Sequence, residues 1–118
     1  MAESMESLDQ ARCVPCEGGV PALSDHEARA LLKPLEGWKL SQDGKVLLKA
    51  YAFPDFASAL RFLNAVAFIA ENEGHHPDIE LGWGRCQVCF TTHAIGGLSL
   101  NDFICATKVE ALASPVPA

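Results

Sequence analysis

The sequence lacks both an excess of basic residues and any long apolar run. Its 118 residues include 9 Lys and Arg against 15 Asp and Glu, a formal net charge of −6. This balance disfavours binding to nucleic acid or to anionic membranes, because both depend on attraction to phosphates. The longest apolar stretch, Ala65 to Ala70, is far shorter than the ~20 residues of a membrane-spanning helix. We therefore expect neither nucleic acid nor membrane as a partner.

The amino terminus also lacks the pattern of an export signal. Residues 1–10 are acidic and polar, with no basic segment followed by an apolar one. The sequence contains five cysteines, at positions 13, 16, 86, 89 and 105. Because five is an odd number and no export signal is expected, a complete set of intramolecular disulfides is not expected either. These features predict a cytoplasmic protein with reduced thiols.

The size and composition predict one domain. A chain of this length, with 49% hydrophobic residues, can bury a core without disulfides or a structural metal. Residues 1–22, which include Cys13 and Cys16, show no sustained periodicity and predict a flexible leader. We expect a single α+β domain over residues 23–113, followed by a frayed tail over residues 114–118.

Three helices are predicted from capping residues and apolar spacing. Ser24 begins a capping box for a short helix that reaches about Lys33, and Ser99 is the expected N-cap of the last helix. The longest helix runs from about Asp55 to Glu73. Its expected apolar face consists of Phe56, Leu60, Leu63 and Ala67, widened by Phe62, Val66 and Ile69.

Four strands complete the predicted fold. Asp43-Gly44 favours a two-residue hairpin turn between strands over residues 38–42 and 45–53. Apolar alternation predicts a third strand over residues 79–83, with Trp83 in the core, and a fourth over residues 85–93. The order α-β-β-α-β-β-α predicts a two-layer α+β fold, a four-stranded antiparallel sheet with about three helices packed on one face.

Three of the four histidines are clustered, as His75, His76 and His93. Pro77 disfavours helical backbone at His76, so the two adjacent side chains should diverge. If the third and fourth strands form a hairpin, the residues near positions 75 and 93 return to one end of the sheet. Imidazoles titrate near neutral pH, so one can donate a proton while another accepts one. The pattern predicts a pocket for proton transfer.

Spacing alone leaves other interpretations of these residues open. The histidines could be solvated, or could bond to carbonyls at the end of the long helix, and three imidazoles beside a carboxylate could hold zinc. The two Cys-x-x-Cys segments look like a split zinc site, although an i, i+3 pair on a strand points to opposite faces. Glu71 could orient His75, or be a solvated helix end; Asp102 could face the pocket, or only cap the last helix.

Taken together, these residues resemble the pterin-4a-carbinolamine dehydratase family, also called 4a-hydroxytetrahydrobiopterin dehydratase. The resemblance rests on Glu71-Asn-Glu-Gly-His75-His76-Pro77, on an aromatic residue at Trp83, on Thr92-His93, and on Gly97-Leu98-Ser99 followed by Asp102. It extends over about residues 23–112, and the leader is similar to that of some bacterial members.

The resemblance implies an activity as well as a fold. Members of the family are lyases that dehydrate 4a-hydroxytetrahydropterin, left by aromatic amino acid hydroxylases, to quinonoid dihydropterin. The resemblance implies no metal or other cofactor. It implies a homodimer or homotetramer, and a functional link to an aromatic amino acid hydroxylase. The alternative is a protein–protein interaction module, because animal members are also dimerisation cofactors for a transcription factor and some bacterial relatives act in assembly.

The resemblance also implies roles for individual residues. His75 and His93 would form the acid/base pair, and His76 would chiefly hold the pterin. The catalytic residues would therefore be His75, His76 and His93. Glu71 would orient His75, and the supporting and substrate-binding residues would be Glu71, Pro77 and Asp102.

Overall fold

A computed structural model describes Leu8, residues 10–14 and residues 21–113. Its helices are α1 (Asp25–Leu32), α2 (Phe56–Glu73) and α3 (Leu100–Ala113). Its strands are β1 (Lys39–Leu40), β2 (Leu47–Ala52), β3 (Asp78–Gly82) and β4 (Arg85–Phe90), and a 3-10 turn spans His93–Ile95. The predicted α+β class and the order α-β-β-α-β-β-α are confirmed. No described helix is long and apolar enough to cross a membrane.

The sheet is antiparallel throughout, in the order β1-β2-β4-β3. The register pairs Tyr51 of β2 and Leu81 of β3 with the same residue of β4, Cys86. Both α2 and α3 pack against the sheet and against each other. Alternate β4 residues Cys86, Val88 and Phe90 are fully buried, as the sequence predicts. The β3–β4 hairpin turns at Trp83-Gly84, which brings both strands' outer ends to the same edge.

The helix boundaries follow from side chains that cap the helix ends. Ser24 accepts a hydrogen bond from the backbone N–H of Glu27, and the Glu27 carboxylate accepts one from the N–H of Ser24, so the predicted capping box is present. Asp55 caps α2 by accepting from the N–H of Ser58. At the other end of α2, Gly74 has φ 64°, a left-handed conformation that stops the helix and redirects the chain.

Of the predicted apolar face of α2, only Phe62 and Val66 belong to the stripe that is buried. The buried residues are Ala59, Phe62, Val66 and Ala70. Phe56 and Leu60, placed at the centre of the expected face, are exposed. This helix is apolar around much of its circumference, so periodicity alone does not select the side that faces the sheet. The small side chains of Ala59 and Ala70 lie on the side where the helix packs.

Three other expectations about the strands are wrong. Trp83 is 75% exposed because it lies in the β3–β4 turn rather than in the strand. The β4 strand ends at Phe90, and His93 begins the 3-10 turn. The two-residue turn at Asp43-Gly44 is a longer loop closed by a backbone hydrogen bond between Ser41 and Val46. The Asp43 carboxylate accepts from the Ser41 hydroxyl and the Lys45 N–H, which stabilises this wider loop.

The leader is described in part. Residues 10–14 lie against the carboxyl end of α2 and the amino end of α3, where Arg12 and Cys13 bond to Glu73. Cys16 and the tail 114–118 lie outside the described residues. The proposed domain boundaries therefore stay predictions.

Candidate active site

A pocket of about 640 Å³ opens at the end of the sheet where α2 stops, β4 ends and α3 begins. Its walls are residues 71–76, residues 91–94, Asn101 of α3, and Cys13 and Val14 of the leader. The strand register explains this convergence. Asp78 at the start of β3 pairs with Cys89 near the end of β4, so the segments outside these strands meet. All three clustered histidines line this one pocket.

His75 is held by a buried carboxylate. Its Nε2 lies 2.6 Å from Oδ1 of Asp102, and the two side chains are 12% and 0% exposed. The imidazole also stacks on Phe90, with ring centroids 6.1 Å apart and planes 10° apart. The hydrogen bond to Asp102 raises the pKa of His75, against the opposing effect of burial, and the charge on Cys13 acts in the same upward direction. The protonated imidazole is therefore favoured at this site.

Asp102 is itself fixed by two further donors. The Thr92 hydroxyl donates to Oδ2 at 2.8 Å, and the backbone N–H of Ser99 donates to the same oxygen at 2.9 Å. By accepting this hydrogen bond from Ser99, Asp102 has the helix-capping role that the sequence allows for it. The other oxygen, Oδ1, faces His75. Asp102 therefore caps α3 and orients an imidazole at the same time.

His76 and Glu71 form a second pair, on the open side of the pocket. Nε2 of His76 lies 2.7 Å from Oε2 of Glu71, and the side chains are 58% and 76% exposed. The expected pairing of Glu71 with His75 is therefore wrong. The left-handed turn at Gly74 sends His75 inward towards α3, which leaves His76 beside the last turns of α2.

His93 and Pro77 complete the set of predicted site residues. His93 lies in the 3-10 turn at the pocket rim and is exposed. In the part of the chain that the structure describes, no hydrogen bond to its side chain is found. Pro77 is adjacent to His76 but lines a smaller neighbouring cavity, together with Ile79 and the last turns of α2. Pro77 is not among the residues that line the main pocket.

Sequence reasoning missed the leader's part in this pocket. Glu73 accepts from the N–H of Cys13 at 2.8 Å and from Arg12, and lies 3.7 Å from Lys108. Burial would raise the pKa of Glu73, but these donors and cations outweigh it and lower the pKa. Asn101 bonds to both backbone groups of Val14. The contacts made by the leader span 60 or more positions, so no local pattern reveals them.

Metal ligation was one interpretation of the histidines and cysteines. Within residues 10–14 and 21–113, no three His, Cys, Asp or Glu side chains are grouped as ligands would be. Cys86 is buried while Cys89 is only partly buried, which agrees with opposite faces of β4. The described carboxylates of the site instead bond to imidazoles and to backbone N–H groups.

Comparison with known proteins identifies relatives over most of the chain. The family model for pterin 4 alpha carbinolamine dehydratase matches residues 21–112. A protein of Nitrosospira multiformis that carries this family's name is 46% identical over 112 residues, which cover 95% of this chain and 97% of that protein. A protein of Nitrosomonas eutropha with the same name is 49% identical over 106 residues, covering 89% and 92%.

Two solved structures are also similar. A transcriptional coactivator/pterin dehydratase from Brucella melitensis has a TM-score of 0.74 at 29% identity, covering 78% of this chain and 98% of that one. A pterin dehydratase-like protein, identified as a RuBisCO assembly factor in the alpha-carboxysome, has a TM-score of 0.57 at 28% identity, covering 66% and 90%. The names of these relatives thus include an enzyme, the dehydratase, and two roles that involve other proteins, a transcriptional coactivator and an assembly factor.

Proposed function

The chain belongs to the pterin-4a-carbinolamine dehydratase family, and we propose that it dehydrates 4a-hydroxytetrahydropterin to quinonoid dihydropterin and water. The observation that carries this proposal is the pocket in which His75, fixed by buried Asp102, lies with His76 and His93. The reaction needs proton transfer and no change of oxidation state. Groups that titrate near neutral pH are therefore the ones required.

The dehydration requires two proton transfers. The C4a–O bond breaks as the hydroxyl takes up one proton and leaves as water, and N5 gives up one proton as the C4a–N5 double bond forms. We assign the first transfer to His75, because its bond to Asp102 favours the protonated imidazole. With Nε2 occupied by Asp102, Nδ1 is the ring nitrogen that can exchange a proton with a ligand. The described carboxylates Asp102 and Glu71 bond to His75 and His76 rather than to His93, so we assign the acceptor role to His93.

His76 is proposed to hold the pterin rather than to transfer a proton. Its bond to Glu71 keeps the ring on the open wall of the pocket without locking it, so a flat heterocycle can contact it there. Pro77 supports this by holding the His76 backbone in an extended conformation. Groups that only position a substrate affect KM more than those that act in the transition state.

The test is a direct assay of dehydration. The 4a-hydroxytetrahydropterin is generated in situ and its loss is followed by ultraviolet absorbance, with and without protein, before and after chelator treatment. We expect acceleration that survives chelation and falls about 10²-fold or more in His75→Ala and His93→Ala, the usual contribution of an acid/base group. His76→Ala should chiefly raise KM.

His26→Ala is the matched control, because His26 is the one histidine placed elsewhere, exposed on α1. Its rate should equal that of the wild type. If folded wild-type protein gives no acceleration over the spontaneous rate, the proposal is wrong. A His93→Ala variant as fast as the wild type would remove that residue from the mechanism.

A second candidate function is that of a protein-interaction module. The observation that favours it is the exposed apolar surface of α2, with Phe56, Leu60 and Phe68 facing away from the sheet. We propose that this surface is used first for self-assembly into a homodimer or homotetramer. We also propose that the protein is cytoplasmic and that its reaction is linked to that of an aromatic amino acid hydroxylase. Light scattering of the wild type and of Phe68→Glu tests the assembly. An unchanged mass in the variant would contradict this role of α2.

A further inference from the structure

Two cysteines that the proposed reaction does not use lie against each other behind the pocket wall. Sγ of Cys13 in the leader is 3.5 Å from Sγ of Cys105 in α3. Cys105 is fully buried, whereas Cys13 is partly exposed and lines the pocket. Their positions are 92 residues apart in the sequence, so only the docked leader brings these thiols together.

The contact is held in place by neighbouring hydrogen bonds. The N–H of Val14 donates to Oδ1 of Asn101 at 3.1 Å, and Nδ2 of Asn101 donates to the carbonyl of Val14 at 2.6 Å. Asn101 and Cys105 are four residues apart on α3, so they share one face of that helix. On the other side, the N–H of Cys13 is held by Glu73. These bonds keep the Cys13 thiol close to that of Cys105.

We propose that Cys13 and Cys105 form a reversible dithiol–disulfide site, which attaches the leader covalently to α3 at the wall of the pocket. A disulfide requires the two sulfurs to approach to ~2.05 Å, so they must close by about 1.5 Å. Cys13 lies in a segment without helix or strand, where small backbone rotations can supply this movement. Cys105 stays in its helix.

The two thiols differ in how readily they ionise. Hydrogen bonding from Cys105 lowers the pKa of Cys13, against the effects of burial and of Glu73, and the charge on His75 acts in the same downward direction. The same hydrogen bond, together with burial, raises the pKa of Cys105. Cys13 is thus the accessible thiol that ionises first and attacks an oxidant, and Cys105 is the sheltered thiol that resolves the product.

A hydroperoxide is the oxidant for which the site is suited. The Cys13 thiolate sulfur attacks the O–O bond of hydrogen peroxide, which breaks to give a sulfenic acid and hydroxide, the latter protonated to water. The Cys105 sulfur then attacks the Cys13 sulfur, loses its proton and displaces the hydroxyl group as a second water. Two thiols and one peroxide thus give one disulfide and two waters, with two electrons passing from sulfur to oxygen.

The experiment uses the full chain treated with hydrogen peroxide and then alkylated under denaturing conditions. Of the five thiols, three should remain titratable, and peptide mapping should join the Cys13 and Cys105 peptides. Because the link closes a long loop, the melting temperature should rise by about 10 °C. Dithiothreitol should restore both the five thiols and the original melting temperature.

Variants identify the residues involved. Cys13→Ser, at a partly exposed position, should lose the link and the rise in melting temperature while staying folded, and Cys105→Ala should do the same. Cys16→Ser and Cys89→Ser are the matched controls and should keep both. A link from Cys13 to Cys16 would overturn the proposal. So would five unreacted thiols, or over-oxidation of Cys13 with Cys105 still free to be alkylated.

Discussion

His75 and His76 are neighbours in the sequence, and each imidazole is bonded to a carboxylate at nearly the same distance, 2.6 Å and 2.7 Å. Their surroundings are opposite. The pair of His75 with Asp102 is buried, and two further donors fix the carboxylate, whereas the pair of His76 with Glu71 is largely exposed to water. A bond of the same length therefore has different consequences, because water screens the outer pair.

The comparison separates two functions within one pocket, proton transfer and substrate binding. A buried carboxylate that cannot turn away biases the protonation of its partner and sets the orientation of the ring. An exposed carboxylate restrains its partner weakly and leaves it able to adapt to a ligand. The inner pair is therefore suited to proton transfer and the outer pair to holding the substrate. Four predictions test this division.

The largest expected effect is that of Asp102→Asn. Removing the charge takes away the main cause of the raised His75 pKa and leaves the imidazole with a poorer partner, so the dehydration rate should fall about 10²-fold or more. Breaking a buried ion pair commonly costs about 3 kcal/mol of unfolding free energy. The absorbance assay and urea denaturation measure these effects. Equal losses in Asp102→Asn and Glu71→Gln would remove the distinction between the pairs.

The second prediction concerns pH. Because the folded-state pKa of His75 is raised, its contribution to stability is fully present below the unfolded pKa, ~6.5, and is lost as pH rises through the folded pKa. The difference in unfolding free energy between the wild type and His75→Gln should therefore shrink as pH rises. Asp102 and Cys13 are the titratable groups that act on His75, so Cys13→Ser is a useful control. A difference that grows with pH would contradict the assignment.

The third prediction tests the support behind Asp102. Thr92→Val keeps the shape of a buried residue but removes the donor to Oδ2, which should cost about 1 kcal/mol in a urea titration and slow dehydration by about tenfold. Thr107→Val is the control, because the Thr107 hydroxyl bonds to the Phe103 carbonyl on α3 and Thr107 does not line the pocket. If the rate is unchanged in Thr92→Val, the orientation of Asp102 does not depend on Thr92.

The smallest effect is expected for Glu71→Gln. The amide retains a hydrogen bond to His76 and the pair is solvated, so the melting temperature should not change measurably. A rise of a few-fold in KM with an unchanged kcat is expected, because His76 is assigned to binding. A fall in kcat comparable to that of Asp102→Asn would show that the outer pair takes part in the chemical step.

Much of the fold follows from local sequence patterns. The capping box at Ser24, the end of α2 at Glu73 and the alternation in β4 each depend on a few neighbouring residues, and each is where the sequence predicts it. The errors arise where a local pattern is ambiguous. Trp83 continues the apolar alternation of β3, but the strand itself ends one residue earlier, at Gly82. Helix α2 is apolar on more sides than the sheet covers.

The sequence by itself determined the element order, the family and the set of histidines that share a pocket, because these depend on spacing along the chain and on strand pairing. The tertiary structure alone decided which carboxylate meets which histidine. It also decided that the leader forms a wall of the pocket and that Cys13 lies against Cys105. The contacts of Asp102 and of the leader join segments tens of residues apart, and the turn at Gly74 decides which histidine stays beside Glu71. These arrangements depend on the packing of α3 and on that turn rather than on any local preference of the residues themselves.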